Sequence, residues 1–153
     1  MDWVMVGAIS TAFMALVIFA TALIAVWQLF EIRKSRQSDA FMNLILVLQR
    51  EDIREARRIL REELANKEFK NWSKDEKKQA ERACHTYDTA GLMSSKKHID
   101  SKLVVEWHDS IVKCWEAAYP MIMEYRKARS EDFWHNFEEL YKMAKKYEET
   151  KKV

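Results

Sequence analysis

Residues 3–30 form one continuous apolar run. No charged side chain occurs from Trp3 to Phe30. A helix over this run would be about 42 Å long, against about 30 Å of bilayer hydrocarbon. Trp3 and Trp27 lie near its two ends, where aromatic side chains favour the membrane interface. The pattern therefore predicts a transmembrane anchor over residues 1–30.

A cleaved signal peptide is the alternative interpretation of this run. Ala20-Thr21-Ala22 offers the small residues of a cleavage site. However, a signal peptide begins with a positively charged segment and has an apolar stretch of about 7–15 residues. The chain has no such segment and a longer stretch, so the sequence favours a retained anchor.

The charges that flank the run predict its orientation. Asp2 is the one charged side chain before it, whereas Arg33, Lys34 and Arg36 follow it. Basic residues stay on the cytoplasmic side of a membrane. We therefore expect a single-pass protein of the cytoplasmic (inner) membrane, with its N-terminus outside and its C-terminal domain in the cytoplasm. The basic cluster is also placed to contact anionic lipid.

Small side chains recur along one face of the predicted anchor. Such a face lets two helices approach closely in lipid. The alternative is that alanine is simply common in membrane helices. The residues of this predicted packing face are Ala8, Ala12, Ala15, Ala22 and Ala25.

Beyond the anchor, apolar residues recur every three or four positions, which is typical of amphipathic helices. We expect a long helix from the anchor to about Leu48 and a second helix from about Asp52. The predicted organisation is an anchor, a juxtamembrane helical extension (31–50), a cytoplasmic helical domain (51–148) and a frayed tail (149–153).

Local signals mark the later helices. Ser73 and Glu76 have the spacing of a capping box, and Asp100 can cap the next helix. Pro120 predicts a break or a new helical start, and Ser130 begins the segment before the last helix. The chain contains two glycines and one proline, which argues against the many tight turns of a sheet protein. We therefore predict an all-α protein, a single N-terminal transmembrane helix followed by a small antiparallel helical bundle.

Composition excludes several classes of function. The chain has 26 basic and 24 acidic residues, a balance that does not predict nucleic-acid binding. With two glycines, it contains none of the glycine-rich loops that hold nucleotide phosphates.

Short motifs in the second half of the chain occur in a recognisable order: Tyr87-Asp88 before Gly91-Leu92-Met93, Ile99-Asp100, Leu103-Val104, Trp115, an arginine that is Arg126 or Arg129, and Phe137-Glu138-Glu139-Leu140. With these motifs, residues 75–145 resemble an uncharacterised family of short prokaryotic proteins that have an N-terminal transmembrane helix and a helical cytoplasmic domain of unknown function. The family pattern has glutamate at the position of Asp88. The resemblance implies a fold, and it implies no activity.

Candidate catalytic and metal-binding residues are few. His85-x-x-Asp88 and Asp132-x-x-His135 have helical spacing, but a di-iron bundle uses Glu-x-x-His pairs and further glutamates. Cys84 and Cys114 are predicted to be reduced core residues. We assign no catalytic residue, metal or cofactor.

Two further groups of residues are candidates for binding. Asp88, Arg126, Arg129 and Glu138 could form a polar cluster, either as a structural ion pair or as a site. Unburied apolar and tryptophan side chains mark protein interfaces. The predicted docking surface consists of Leu44, Leu46, Val47, Trp72 and Trp134.

The sequence thus favours a non-enzymatic role. The leading hypothesis is a membrane-tethered interaction protein, either an accessory or regulatory subunit of a larger membrane complex or a self-associating scaffold. The alternative is a small membrane-associated effector of stress or phage defence that acts by oligomerisation. An enzyme with an unrecognised site is third. The expected partners are membrane lipid and protein, and no nucleic acid.

Overall fold

The computed structural model describes residues 3–151, and the side chains of all of these except residues 3–10, 12 and 103. The described residues contain helices and no strand. The chain divides into two compact units, the first ending at Ser38 and the second beginning at Asp39. The predicted all-α class is confirmed.

Helix α1 runs from Trp3 to Gln49. Within the described residues, the stretch Phe13–Gln49 is the one helix long and apolar enough to cross a membrane, and its most apolar window has no residue buried inside the protein. Trp27 is 65% exposed. The prediction of one long apolar helix that ends near Leu48 is confirmed.

The compact unit begins inside α1. Leu44 and Leu48 are buried in its core at 3% and 1% exposure. Residues from Asp39 onward therefore belong to this unit, whereas the sequence placed the domain boundary at residue 51. The last turns of the predicted extension are part of the domain because they contribute these two leucines to its core.

Helix α1 ends because Arg50 leaves the helical conformation, with φ −55° and ψ 137°. Helix α2, Glu51–Arg58, follows at once and continues as a π-helix, Ile59–Leu64. Ala56, Leu60 and Leu64 are all buried. The buried stripe therefore continues across the change from α-helix to π-helix.

The next two helices begin as predicted. After a short 3-10 helix, Phe69–Asn71, helix α3 runs from Lys74 to Ser95. Its capping box is formed, because the Ser73 hydroxyl accepts from the Glu76 N–H and the Glu76 carboxylate accepts from the Ser73 N–H. Helix α4, Ser101–Val105, is capped by the Asp100 carboxylate.

Helix α5 runs without interruption from His108 to Ala128, through Pro120. The predicted break at this proline is therefore wrong. Proline leaves the carbonyl of Glu116 without its helical donor. Both residues lie on the exposed face, where water can hydrate that carbonyl, while Trp115 and Ile122 remain buried on the opposite side.

Helix α6, His135–Lys151, packs against α3 and α5. It begins after a turn in which Trp134 has a left-handed φ of 56°. The helix continues through the first three residues of the predicted frayed tail, and residues 152–153 lie outside the described residues. The five helices that follow α1 form the predicted bundle around one core.

Candidate functional site

The junction of α3 with the start of α6 contains several of the family-like motif residues, among them Tyr87, Asp88, Gly91 and Phe137. Asp88 of α3 accepts hydrogen bonds from the Phe137 N–H at 3.0 Å and from the Asn136 side chain at 3.3 Å. Phe137 is the third residue of α6, and its N–H has no partner within the helix. Trp134 comes directly before the helix, but its indole can only donate a hydrogen bond and so cannot cap the helix. Asp88 therefore caps α6 from 49 residues away.

Gly91 lets α3 and α6 come this close. A Cβ atom at Gly91 would lie 2.2 Å from the carbonyl oxygen of Asn136, far inside van der Waals contact. One turn away, the ring of Tyr87 stacks on Phe137 with centroids 5.1 Å apart. The motif therefore needs glycine at this position, because the backbone of α6 approaches α3 too closely for a side chain. The aromatic pair packs beside this contact.

Arg126 and Glu138 form an ion pair beside this junction, with 2.8 Å between Nη1 and Oε2. Arg126 also donates from Nε to the carbonyl of Phe133. Burial raises the pKa of Glu138, but hydrogen bonds from Arg126 and Lys142 outweigh it, so the pKa is lower than usual. This pair links α5 to α6.

The predicted polar cluster therefore separates into three parts. Asp88 caps α6, and Arg126 pairs with Glu138. Arg129 lies against the rings of Tyr125 and Phe133, 5.0 Å from each centroid. Each of these charges has a local partner, although Nη2 of Arg126 is buried without an acceptor. These contacts favour a structural role of the cluster in the bundle.

The two cysteines are buried. Burial raises the pKa of Cys84 well above its ordinary value, and burial likewise raises the pKa of Cys114 to about 11. Both thiols are protonated at neutral pH, whereas a nucleophilic cysteine requires a stabilised thiolate. They act as small core residues.

The histidines do not converge. His85 accepts at Nδ1 from the Trp134 indole N–H at 3.2 Å, and His108 lies edge-on to the ring of Tyr147. Among the residues whose side chains are described, no three His, Cys, Asp or Glu side chains are grouped closely enough to hold a metal ion.

Three residues of the predicted docking surface are buried, and this part of the prediction is wrong. Leu44 belongs to the core, and Trp72 and Trp134 are each 4% exposed. Both tryptophans lie outside regular helix, so helical periodicity did not assign them to the core. The Trp72 indole donates to the Lys67 carbonyl at 3.0 Å, and Trp134 donates to His85. Their polar atoms are satisfied inside the domain.

The remaining docking residues are exposed. Leu46 is 63% and Val47 43% exposed, and Met42, one turn before Leu46, is 52% exposed. Val47 also lines a groove of about 590 Å³ between the end of α1 and α3. The other wall of the groove includes Thr86 and Met93.

The residues of the predicted membrane interface and of the predicted helix-packing face are exposed where their side chains are described: Trp27, Arg33, Lys34 and Arg36 for the interface, and Ala15, Ala22 and Ala25 for the packing face. The side chains of Trp3, Ala8 and Ala12 lie outside the described part of the structure.

A second cleft, of about 1230 Å³, was not predicted. Arg57 and Arg61 line it together with Ser110 of α5. Arg61 donates from Nη1 to the Ser110 hydroxyl at 3.1 Å, and that hydroxyl lies 2.8 Å from the Tyr87 hydroxyl. A signal was available in the sequence, since neither arginine has a carboxylate three or four positions away.

Comparison with known proteins assigns this chain to a family. A model described as a domain of unknown function, DUF4760, matches residues 15–144. No curated protein and no solved structure gives a significant match. The matched range includes Asp88, Gly91 and the Arg126–Glu138 pair, together with most of α1. This chain therefore belongs to the DUF4760 family, whose function is unknown.

Proposed function

We propose that this protein is a membrane-tethered, non-catalytic interaction protein that serves as an accessory or regulatory subunit of a membrane complex. The observation that carries the proposal is the row of exposed apolar side chains on the last turns of α1. Met42 and Leu46 are more than half exposed, whereas Leu44 and Leu48 of the same turns are buried. Contiguous exposed apolar surface of this kind marks a protein contact.

The composition of the neighbouring groove supports one kind of partner. Its lining includes the apolar residues Leu44, Val47 and Met93 and the charged residues Lys78 and Glu81. An amphipathic helix of a partner protein fits such a surface, with its apolar stripe on Leu46 and Val47 and its polar side toward the charged residues. Because the row lies on the same helix as the candidate span, a membrane protein is the suited partner.

The flanking charges support the location. Arg33, Lys34 and Arg36 follow the apolar stretch and are exposed, which favours a cytoplasmic domain and an outer N-terminus in the inner membrane. A fluorescent reporter that matures in the cytoplasm, fused after residue 153, should be bright, and the same reporter before residue 1 should be dark.

The decisive experiment is purification of the full-length chain in mild detergent, with mass determination of the intact particle. We expect a stoichiometric complex with a second membrane protein. Leu46→Glu should dissociate it, because a charge would be buried against the partner helix. Tyr119→Glu is the matched control, since Tyr119 is 50% exposed on α5, and it should leave the complex intact.

Three results would contradict the proposal. They are a lone monomer, a particle that contains this chain alone, and a complex that survives Leu46→Glu. The first two results would favour an oligomerising effector or an enzyme instead.

A further inference from the structure

The cleft beside α2 contains positive charge that the protein does not neutralise. Five arginines and four acids line it. Three of these acids are used by other arginines, since Asp52 pairs with Arg50 and Arg58 pairs with Glu55 and Glu62. The fourth, Glu51, forms no ion pair with Arg57 or Arg61 among the described side chains. Arg57 and Arg61 form no ion pair within 4.0 Å among the described side chains. Two partly buried guanidinium groups therefore line the same cleft without an ion-pair partner.

The hydrogen bonds of these arginines go to neutral acceptors. Arg57 donates from Nη2 to the Leu48 carbonyl at 2.6 Å and from Nη1 to the Tyr87 hydroxyl at 3.4 Å. Its Nε is buried and has no acceptor. Burying an unpaired charge is unfavourable unless an opposite charge is supplied. An anion in the cleft would supply it.

Arg61 and Ser110 are the groups that could contact such an anion. Arg61 uses Nη1 for Ser110 and Nε for the Arg57 carbonyl. Its Nη2 has no partner among the described residues, and it is not among the side-chain atoms sealed from solvent. Burial raises the pKa of Tyr87 above its ordinary value, so that hydroxyl stays neutral. The cluster thus presents N–H and O–H donors and no charged acceptor.

The local backbone also distinguishes this cleft. Arg61 lies in the π-helix Ile59–Leu64, and π turns are rare and occur often at functional sites. Arg57 and Arg61 lie on either side of the start of this π-helix, and both line the cleft. Arg57 bonds to Tyr87, and Arg61 bonds to Ser110.

We propose that this cleft binds a phosphoryl group, with Arg61 and Ser110 as direct ligands and Arg57 as the neighbouring counter-charge. A planar guanidinium matches the oxygens of a phosphate in pairs. The acids of the same cleft would repel an extended polyanion, so the ligand carries a compact, single phosphoryl group. It belongs either to a small soluble molecule or to a lipid headgroup.

The test uses the full-length protein in phosphatidylcholine nanodiscs at constant ionic strength. Inorganic phosphate is titrated against chloride, and binding is followed by calorimetry and by the unfolding temperature. We expect a saturable response. Arg61→Gln should weaken phosphate binding by about tenfold or more, the effect of losing a charged hydrogen bond. Ser110→Ala, which preserves every charge, should weaken it by about fivefold.

Arg54→Gln is the matched control. Arg54 lines the same cleft but is exposed, and it forms no hydrogen bond with Ser110 among the described side chains. Its loss should change phosphate binding by less than about twofold, because exposed charges contribute little. Equal losses in Arg54→Gln and Arg61→Gln would show general attraction of anions and would overturn the proposal.

A second arm identifies the source of the phosphoryl group. Nanodiscs that contain phosphatidic acid are compared with nanodiscs that contain phosphatidylserine. A lipid ligand predicts that phosphatidic acid alone raises the unfolding temperature and competes with phosphate, and that Arg61→Gln removes the effect. A soluble ligand predicts a phosphate response that is the same in both discs. No response to phosphate and no preference between the lipids would overturn the proposal.

Discussion

The start of α6 and the cleft beside α2 are both built from charged and hydrogen-bonding side chains. They differ in whether the charged side chains find an oppositely charged or hydrogen-bonding partner within the protein. At the start of α6, Asp88 and Glu138 receive their hydrogen bonds from within the protein. In the cleft, Arg57 and Arg61 have no carboxylate partner among the described residues. Polar groups that satisfy one another stabilise a fold, whereas a surplus of one kind of donor requires an acceptor from outside.

This contrast indicates that the family-like motifs have a structural role. The motif residues Asp88, Gly91 and Arg126 all serve the contact of α6 with α3 and α5. The arginines of the cleft were not among the motif residues at all. The most recognisable part of the sequence thus describes how the bundle is assembled, and a candidate binding site lies elsewhere.

The largest effect on the α3–α6 contact is expected from a substitution of Gly91. Gly91→Ala would place a methyl group 2.2 Å from the Asn136 carbonyl oxygen, so α6 must move away from α3. We expect a loss of about 3 kcal/mol in the free energy of unfolding, measured with urea. Thr89→Ala, at an exposed position of the same helix, is the control and should change stability by less than about 0.5 kcal/mol. A neutral Gly91→Ala would show that the two helices do not approach this closely.

Removing the cap of α6 should have a smaller effect. Asp88→Ala leaves the Phe137 N–H without its acceptor, and we expect a loss of about 2 kcal/mol in unfolding free energy. Hydrogen exchange should also increase in the first turn of α6. Glu124→Ala, an exposed acid of α5, should be almost neutral. If Asp88→Ala and Glu124→Ala had equal effects, Asp88 would not be the cap of α6.

The smallest of these effects concerns the Arg126–Glu138 pair and its dependence on pH. Because the folded-state pKa of Glu138 is lowered, its stabilising contribution is present at neutral pH and is lost as the pH falls below about 4.3, the ordinary value of a glutamate. Glu138→Gln should therefore reduce stability by about 1 kcal/mol at pH 7. The difference from the wild type should shrink toward pH 3. A difference that grows in acid would contradict the sign of this shift.

The features that sequence predicted are those determined by neighbouring residues. Ser73 and Glu76 are three positions apart, and their capping box forms as expected. Asp100 caps α4 from one position before it. The end of α1 was placed within one residue, because the apolar pattern of Leu44 and Leu48 gives way to the charged face of α2.

The features that sequence missed depend on distant contacts. The donors to Asp88 lie 48 and 49 positions away, and the carbonyl that requires Gly91 belongs to Asn136. Pro120 stayed helical because its exposed face tolerates one unpaired carbonyl. Trp72 and Trp134 are buried from loops, where no helical period applies. Of the candidate docking residues, Leu46 and Val47 are exposed, and their role in docking stays a prediction.

The π-helix Ile59–Leu64 has a consequence for comparing this chain with its relatives. A π turn holds one residue more than an α turn of the same height. A relative with one residue fewer in this segment could keep both flanks in place by closing the turn into an ordinary α-helix. Alignments of the family should then place a single-residue gap within positions 59–64, and the relatives that carry the gap should lack an arginine equivalent to Arg61.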